Sequence, residues 1–564
     1  MKKKKITVIV LSCLLVALIP IYFFVIAPLV NGDDSGDDEP PYVAEGESLY
    51  YGKTLMMYPE IEVNNLISLT INNEKGTVSF KTKISETSGK KVMALSDYPY
   101  LPLADMPMSS LRVYTLNTQC ESNEPLRDCT PEQMAQYGVT EATCKASYTV
   151  KYYENNIEKE HTVYIGNKTL SSDGSYFVSV KGRNVIYKIG SALEEGLFIS
   201  KVDFVNPLIA SIYSDTDVVF EIERIMIGDS NATLPFIGIN ATKDESKADS
   251  LTVDYAIQFP ANAVGVTASA NYISNALSKL LVSFTGDKVM EIDPDDETCK
   301  KYGFGTDAPT KVVSLRTYEL QEYRFMMSQK MTGEDGVECY YLLTDVQKDT
   351  DVPLIIRIPA TGYEFLESEN AIKWLATNSV DAGFTKYINA DNEEGESGVK
   401  QITIKTNTPS LKNFEETFFL EYSPHPTDSK KNDVLKVTSA SGKYVFEDDL
   451  NAFYSEDRNQ FNNFYAMLVT YPYPNRFNTM TDEEKAAAKK PENLVLSITV
   501  VLNDGTEMGY NYYKLDSASA MCEFYDENTP KDSPKIVFDT TIEHIDILSN
   551  ALKQLINGEK VTKQ

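Results

Sequence analysis

Histidine is almost missing from these 564 residues: His161, His425 and His544 are the whole set. They stand far apart, with no H-E-x-x-H or similar spacing, so metallohydrolase chemistry on paired histidines finds no support. A Ser-His-Asp triad needs only one histidine, yet no G-x-S-x-G elbow marks a nucleophile. Cysteine is sparse too: Cys13, Cys120, Cys129, Cys144, Cys299, Cys339 and Cys522. That is too few for a disulfide-stapled scaffold, and the lack of any C-x-x-C excludes a zinc ribbon or a thioredoxin-like motif. Cys120, Cys129 and Cys144 are close enough for one pair among them, with the connectivity open. Positive charge is short: 53 Lys and Arg face 82 Asp and Glu, a net charge of −29. Nucleic-acid binding rests on neutralising phosphates with basic side chains. No basic stripe exists here, and that class is excluded; anionic lipid surfaces are disfavoured for the same reason.

Other fragments resemble catalytic motifs and fail. Gly46 and Gly52-Lys53-Thr54 are separated by five residues where a P-loop has four, without the flanking strand and helix. Ser88-Gly89-Lys90-Lys91 has Ser-x-x-Lys spacing but none of its partner motifs, and reads as a turn. The acidic runs Asp293-Pro294-Asp295-Asp296-Glu297 and Asp391-Asn392-Glu393-Glu394 lack EF-hand spacing and its glycine. No catalytic, cofactor-binding or metal-binding residue is therefore assigned, and no cofactor is expected.

What is present is an address. Four lysines, Lys2 to Lys5, precede residues 6–30, which contain no charged side chain. Twenty-five residues of helix span roughly 37 Å, against a hydrocarbon core of about 30 Å. The lysines hold the short end in the cytoplasm. The run is longer than a secretory signal and ends in Ala27-Pro28-Leu29-Val30, a poor cleavage site, which favours an uncleaved anchor. Val10-Leu11-Ser12-Cys13 loosely resembles a lipobox, but cleavage there would leave a very apolar new terminus. Asp33, Asp34, Asp37, Asp38 and Glu39 follow in a polar tether.

Beyond the tether, period-2 patterns predict hairpins at 66–82, 147–165 and 176–189, with Asn and Gly turn residues. Helical spacing appears at Ile273 to Phe284, Phe461 to Leu468 and Ile545 to Ile556. A repeat emerges at about 165 residues. Pro131-Glu132-Gln133-Met134-Ala135-Gln136-Tyr137-Gly138-Val139 and Pro294-Asp295-Asp296-Glu297-Thr298-Cys299-Lys300-Lys301-Tyr302-Gly303-Phe304 both read as Pro at the first helical position, an acidic short helix and a closing Gly, then a strand. A weaker copy uses Met480-Thr481-Asp482-Glu483-Glu484-Lys485. The expected class is α+β: an N-terminal transmembrane helix, then two or three tandem repeats of antiparallel β-sheet with short packing helices. The expected division is a cytoplasmic tail at 1–5, the transmembrane helix at 6–30, an acidic linker at 31–60, repeats at 61–220 and 221–375, and a divergent third repeat at 376–564.

Gln136-Tyr137-Gly138-Val139, Val163-Tyr164-Ile165-Gly166-Asn167-Lys168-Thr169, Gly174-Ser175-Tyr176-Phe177-Val178 and Asn184-Val185-Ile186-Tyr187-Lys188-Ile189 resemble an uncharacterised bacterial family, domain of unknown function 4340. The resemblance covers about 134–204, with a partial second copy near 293–320. It implies an N-terminal anchor, an extracytoplasmic body, and company with gliding-motility-type ABC transporter auxiliary proteins. It carries no catalytic residues. The sequence thus leads to a non-enzymatic, plasma-membrane-anchored accessory or scaffold protein of the cell envelope. Its partners would be the membrane and an ABC transporter permease or auxiliary subunit, with no nucleic acid. The alternatives are a cell-wall polymer binding module, motivated by Tyr471, Tyr473 and Phe477, and an envelope enzyme.

Overall fold

The computed structural model describes residues 41–170, 174–214, 220–243, 253–305, 307–344, 352–375, 399–423, 434–449, 460–503, 505–526 and 529–562. The chain forms two compact units, Met1–Asn206 and Pro207–Gln564. The segment 6–30, read as a membrane anchor, lies outside the described residues. No helix among the described residues is long and apolar enough to cross a membrane.

In the first unit a hairpin, β1 (Ser48–Tyr50) and β2 (Thr54–Met56), precedes a seven-stranded antiparallel sheet. Its strands are β3 (Leu66–Asn73), β4 (Gly76–Ile84), β5 (Lys91–Leu95), β6 (Ala146–Glu154), β7 (Ile157–Lys168), β8 (Tyr176–Val180) and β9 (Tyr187–Ile189), in the order β5-β4-β3-β6-β7-β8-β9. Three α-helices, α1 (Asp105–Thr115), α2 (Pro131–Gln136) and α3 (Glu194–Leu197), connect and cover it.

The second unit opens with β10 (Leu208–Ala210), which pairs with β14 (Phe284–Thr285). One nine-stranded sheet holds β11 (Ile222–Asp229), β12 (Ile237–Lys243), β13 (Val253–Phe259), β15 (Lys288–Ile292), β16 (Thr310–Thr317), β17 (Glu322–Ser328), β18 (Met331–Thr332), β19 (Glu338–Leu343) and β20 (Leu354–Pro359). Its order is β13-β12-β11-β16-β17-β19-β20-β15, with β18 on β19. Helices α4 (Ala270–Leu277) and α5 (Asp296–Lys301) belong here. The other nine-stranded sheet holds β21 (Val399–Thr406), β22 (Phe414–Ser423), β23 (Val434–Ser439), β24 (Val445–Asp449), β25 (Arg476–Phe477), β26 (Leu494–Leu502), β27 (Glu507–Lys514), β28 (Ser519–Tyr525) and β29 (Lys535–Thr541). Its order is β24-β23-β22-β21-β26-β27-β28-β29-β25, with α6 (Gln460–Thr470) and α8 (Ile542–Ile556) against it and the exposed α7 (Asp482–Ala488) leading towards β26. Asn262 donates to the Asn478 carbonyl at 2.6 Å and Lys535 to that of Val264 at 2.9 Å, tying the two sheets of this unit together.

The three large sheets share one pairing scheme. The first strand of each lies beside the strand that follows a short acidic helix: β3 beside β6, β11 beside β16, β21 beside β26. Leu69 faces Val150, Ile225 faces Leu315 and Ile402 faces Val500, all buried. Side chains alternate inward and outward along these strands, as a sheet with one covered face requires.

The α+β expectation is corrected: the fold is mostly β, five antiparallel sheets built from twenty-nine strands, with only eight α-helices among the described residues. The helices do not make a layer of comparable weight. The longest has 15 residues, and the pattern from Ile273 to Phe284 stops being α-helical at Leu277. Residues 278–282 widen into a π-helical turn, and Phe284 enters β14.

The Tyr-Gly segment of α2 follows from local chemistry. Thr130 caps the helix and Gln133 caps Thr130 in return, so two end N–H groups are satisfied. Pro131 takes the first helical position, and Gly138 closes the helix at φ 75°. The Tyr137 carbonyl then accepts from Asn167 N–H at 2.9 Å, against Gly166. A Cβ on Gly166 would overlap the Tyr137 carbonyl and the Gly138 backbone. In the second copy Pro294 precedes the cap, and Asp295 itself opens the helix, accepting from Thr298 N–H at 2.8 Å. Pro therefore does not sit at the first helical position there, because the acidic cap takes over the entry. Gly303 closes that helix at φ 87°.

Candidate functional site

A buried polar network in the first unit holds the start of the described chain against the sheet. Residues 46–60, read from sequence as the end of the linker, are part of the core: Leu55, Met57 and Tyr58 are fully buried. The Glu47 carboxylate, 1% exposed, takes both arms of the Arg127 guanidinium at 2.9 and 2.8 Å. It also accepts from the Tyr187 hydroxyl at 2.7 Å and from Ala44 N–H at 2.8 Å. Burial alone would push this carboxyl up, but Arg127, Ala44 and Tyr187 outweigh it and hold the pKa below the ordinary value. Arg183 donates to the Gly46 carbonyl at 3.0 Å, and to the carbonyl of Met57. Backbone bonds from Met57 to Thr118 and from Cys120 to Leu55 complete the strap.

Beneath it, the Tyr58 hydroxyl donates to the Thr115 carbonyl at 2.7 Å and meets the Tyr148 hydroxyl at 2.9 Å. The His161 ring stacks on Tyr58 with centroids 4.5 Å apart, and its Nε2 lies 3.0 Å from the Tyr152 hydroxyl. Burial, with Arg183 nearby, lowers the His161 pKa to about 4, so the ring is neutral at pH 7. Burial likewise raises the Cys120 thiol to about 12, leaving it a poor nucleophile. The network's chemistry is adhesion: it fixes the entering chain on the sheet.

In the second unit Lys311, on β16, is 3% exposed and sits 3.3 Å from both Asp229 and Glu367. Gln329 donates to Asp229 and Tyr340 to Glu367, so each carboxylate has a further partner. A second feature is a shallow cleft of about 400 Å³ between α7 and the turn joining β27 to β28. Met480, Ala487, Ala488 and Leu515 give it apolar walls, and Arg476, Lys514, Glu484 and Asp516 also line it. Arg476 also holds the buried Asp539 at 3.0 Å. Mixed charge on an apolar floor suits a small polar ligand.

The residues singled out from sequence fall elsewhere. His161 and His544 belong to different units, and His425 lies outside the described residues. Gly46 and Gly52 are turn glycines at positive φ, and Ser88-Gly89 is an exposed turn. Asp295 is a helix cap, while 391–394 lie outside the described residues. Among the described residues no three His, Cys, Asp or Glu side chains gather as a metal ligand set. The six described cysteines are free thiols. Tyr471 and Tyr473 do meet, with centroids 4.5 Å apart, but they pack on each other and on His544 at 5.8 and 5.2 Å. Both are half-buried, unlike an open stacking platform. Sequence reasoning missed the strap, because Glu47 and Arg127 are eighty residues apart and neither stands in a motif. Comparison with family models, curated proteins and solved structures finds no match for the chain.

Proposed function

We propose that this chain is a non-enzymatic accessory protein of the cell envelope, anchored by residues 6–30 and displaying broad antiparallel sheets outside the cytoplasm beside a gliding-motility-type ABC transporter. The observation that carries the reading is the buried Glu47 clamp. It fastens residues near the start of the described chain to the sheet through Arg127, Tyr187 and Arg183. A tethered body that must hold station beside a membrane partner needs its tether joined to its core, and a truncated buried ion pair is costly. The apolar stretch flanked by Lys2 to Lys5 supports the address, and the resemblance at 134–204 supports the company. Crosslinking in intact cells, capture of the full-length protein and mass spectrometry test it. A permease or auxiliary subunit in stoichiometric amount is expected; recovery of the chain alone would overturn it.

The cleft lined by Arg476 and Lys514 favours a second reading, a module that binds a polar unit of a wall polymer. Retention on purified cell wall, lost in Arg476→Ala, is its expected mark. Absence of retention by the unmodified protein removes it.

A further inference from the structure

The β1–β2 hairpin carries an anomaly. Tyr50 pairs with Thr54, so Tyr51-Gly52-Lys53 form the turn. Tyr51 has φ 46° and Gly52 φ 72°. Two successive positive φ values are the geometry for which Asn-Gly or Gly-Gly is preferred. A tyrosine in the left-handed region is strained, and such a residue persists where surrounding structure or function requires it. Among the described residues nothing packs on this ring except that of Tyr50, centroids 4.4 Å apart, and Tyr51 is 85% exposed. The hairpin is nevertheless held stiffly from behind: Asn123 accepts from Leu55 N–H at 2.7 Å and donates to the Lys53 carbonyl at 2.9 Å. Tyr42, also on the entering segment, is 70% exposed, one face of its ring lying under the Arg127 guanidinium at 4.9 Å.

Chain length bounds how far these rings lie from the apolar stretch. Tyr42 is twelve residues past Val30, the last apolar residue of the stretch 6–30. Fully extended, twelve residues reach at most about 43 Å. A membrane interface is where tyrosine is enriched, its ring among the headgroups and its hydroxyl in water. Lys53, beside the two rings, has the long stem and charged end that reach lipid phosphates.

We propose that the tip Tyr50-Tyr51-Gly52-Lys53 is an interfacial foot that rests in the lipid headgroup layer and sets the body's stance on the membrane. The inference rests on the anchored reading above, and one experiment separates the two. The full-length protein is reconstituted in phosphatidylcholine vesicles as the Tyr51→Trp variant. The native protein, whose single Trp374 is fully buried, supplies the background. Carbonate extraction is run on the same vesicles. The expected result is carbonate-resistant protein in which the emission of the introduced indole is blue-shifted and mostly lost to lipids carrying a quencher near the headgroup. Carbonate-resistant protein whose introduced indole emits as in water, unquenched, overturns the foot and leaves the anchor. Carbonate-extracted protein overturns both. Tyr50→Trp, which leaves the natural residue at the strained position, gives the same reading if the tip substitution disturbs the turn.

Discussion

Single residues set how the first unit responds to truncation and acid. Glu47→Gln keeps the shape and removes the charge, leaving Arg127 with a weaker partner in a buried site. A loss of about 2–4 kcal/mol is expected, at the lower end because Arg127 is partly exposed. Denaturant midpoints and faster amide exchange across 46–61 are the readout. His161 adds a pH dependence. Its folded pKa of about 4 lies below the ordinary 6.5, so the unfolded chain takes up the proton first. Its contribution is complete above about pH 6.5 and is lost as pH falls towards 4. His161→Phe, which keeps the stack on Tyr58, is expected to flatten the exchange-measured stability of this unit between those values; an unchanged slope would contradict the assignment. Asp448 carries the opposite sign. Burial raises it to about 6 from 3.8, against the N–H groups of Asn462, Phe461 and Gln460 that it accepts from. Its contribution is complete below 3.8 and is lost as pH rises through 6. Asp448→Asn keeps an acceptor for α6, so it should raise the unfolding midpoint at about pH 7 and leave it unchanged at about pH 4.

Elements show what a sequence can and cannot disclose. The hairpin of β6 and β7 was legible because Asn155 and Asn156 are residues that tolerate the φ values of 51° and 63° the turn demands. Helices α6 and α8 were legible because one face of each is continuously apolar. Strands of two or three residues, such as β10, β14 and β25, were not, since so short a run has no period. Their absence from the count, with the over-extended helix at 273–284, made an all-but-β chain look α+β. The Tyr-Gly segment was legible as a mark and not as a mechanism: its glycines serve a close backbone approach between α2 and the end of β7. Gly166→Ala should therefore undock α2, lowering the melting temperature and exposing Met134 to oxidation. Thr130→Ala, which removes only the cap, should cost about 1 kcal/mol and leave α2 docked. Equal effects of the two would contradict a packing role for Gly166. The candidate site was the least legible part, because the strap and the cleft both join residues far apart in sequence and of ordinary type.

At the scale of the whole molecule, the sequence speaks of address and the fold speaks of attachment. An uncharged stretch behind four lysines and an acidic run are what the proposed membrane attachment rests on, and the clamp on Glu47 is what would hold such a body firmly at its point of entry. Under the same proposal the broad sheets would supply the surface for a partner, and the net charge of −29 favours solubility. Protease added to intact cells tests this arrangement most directly. The body should be cut and released without lysis while a stub containing residues 1–30 stays in the membrane fraction. Protection of the full-length protein until the cells are broken would contradict it.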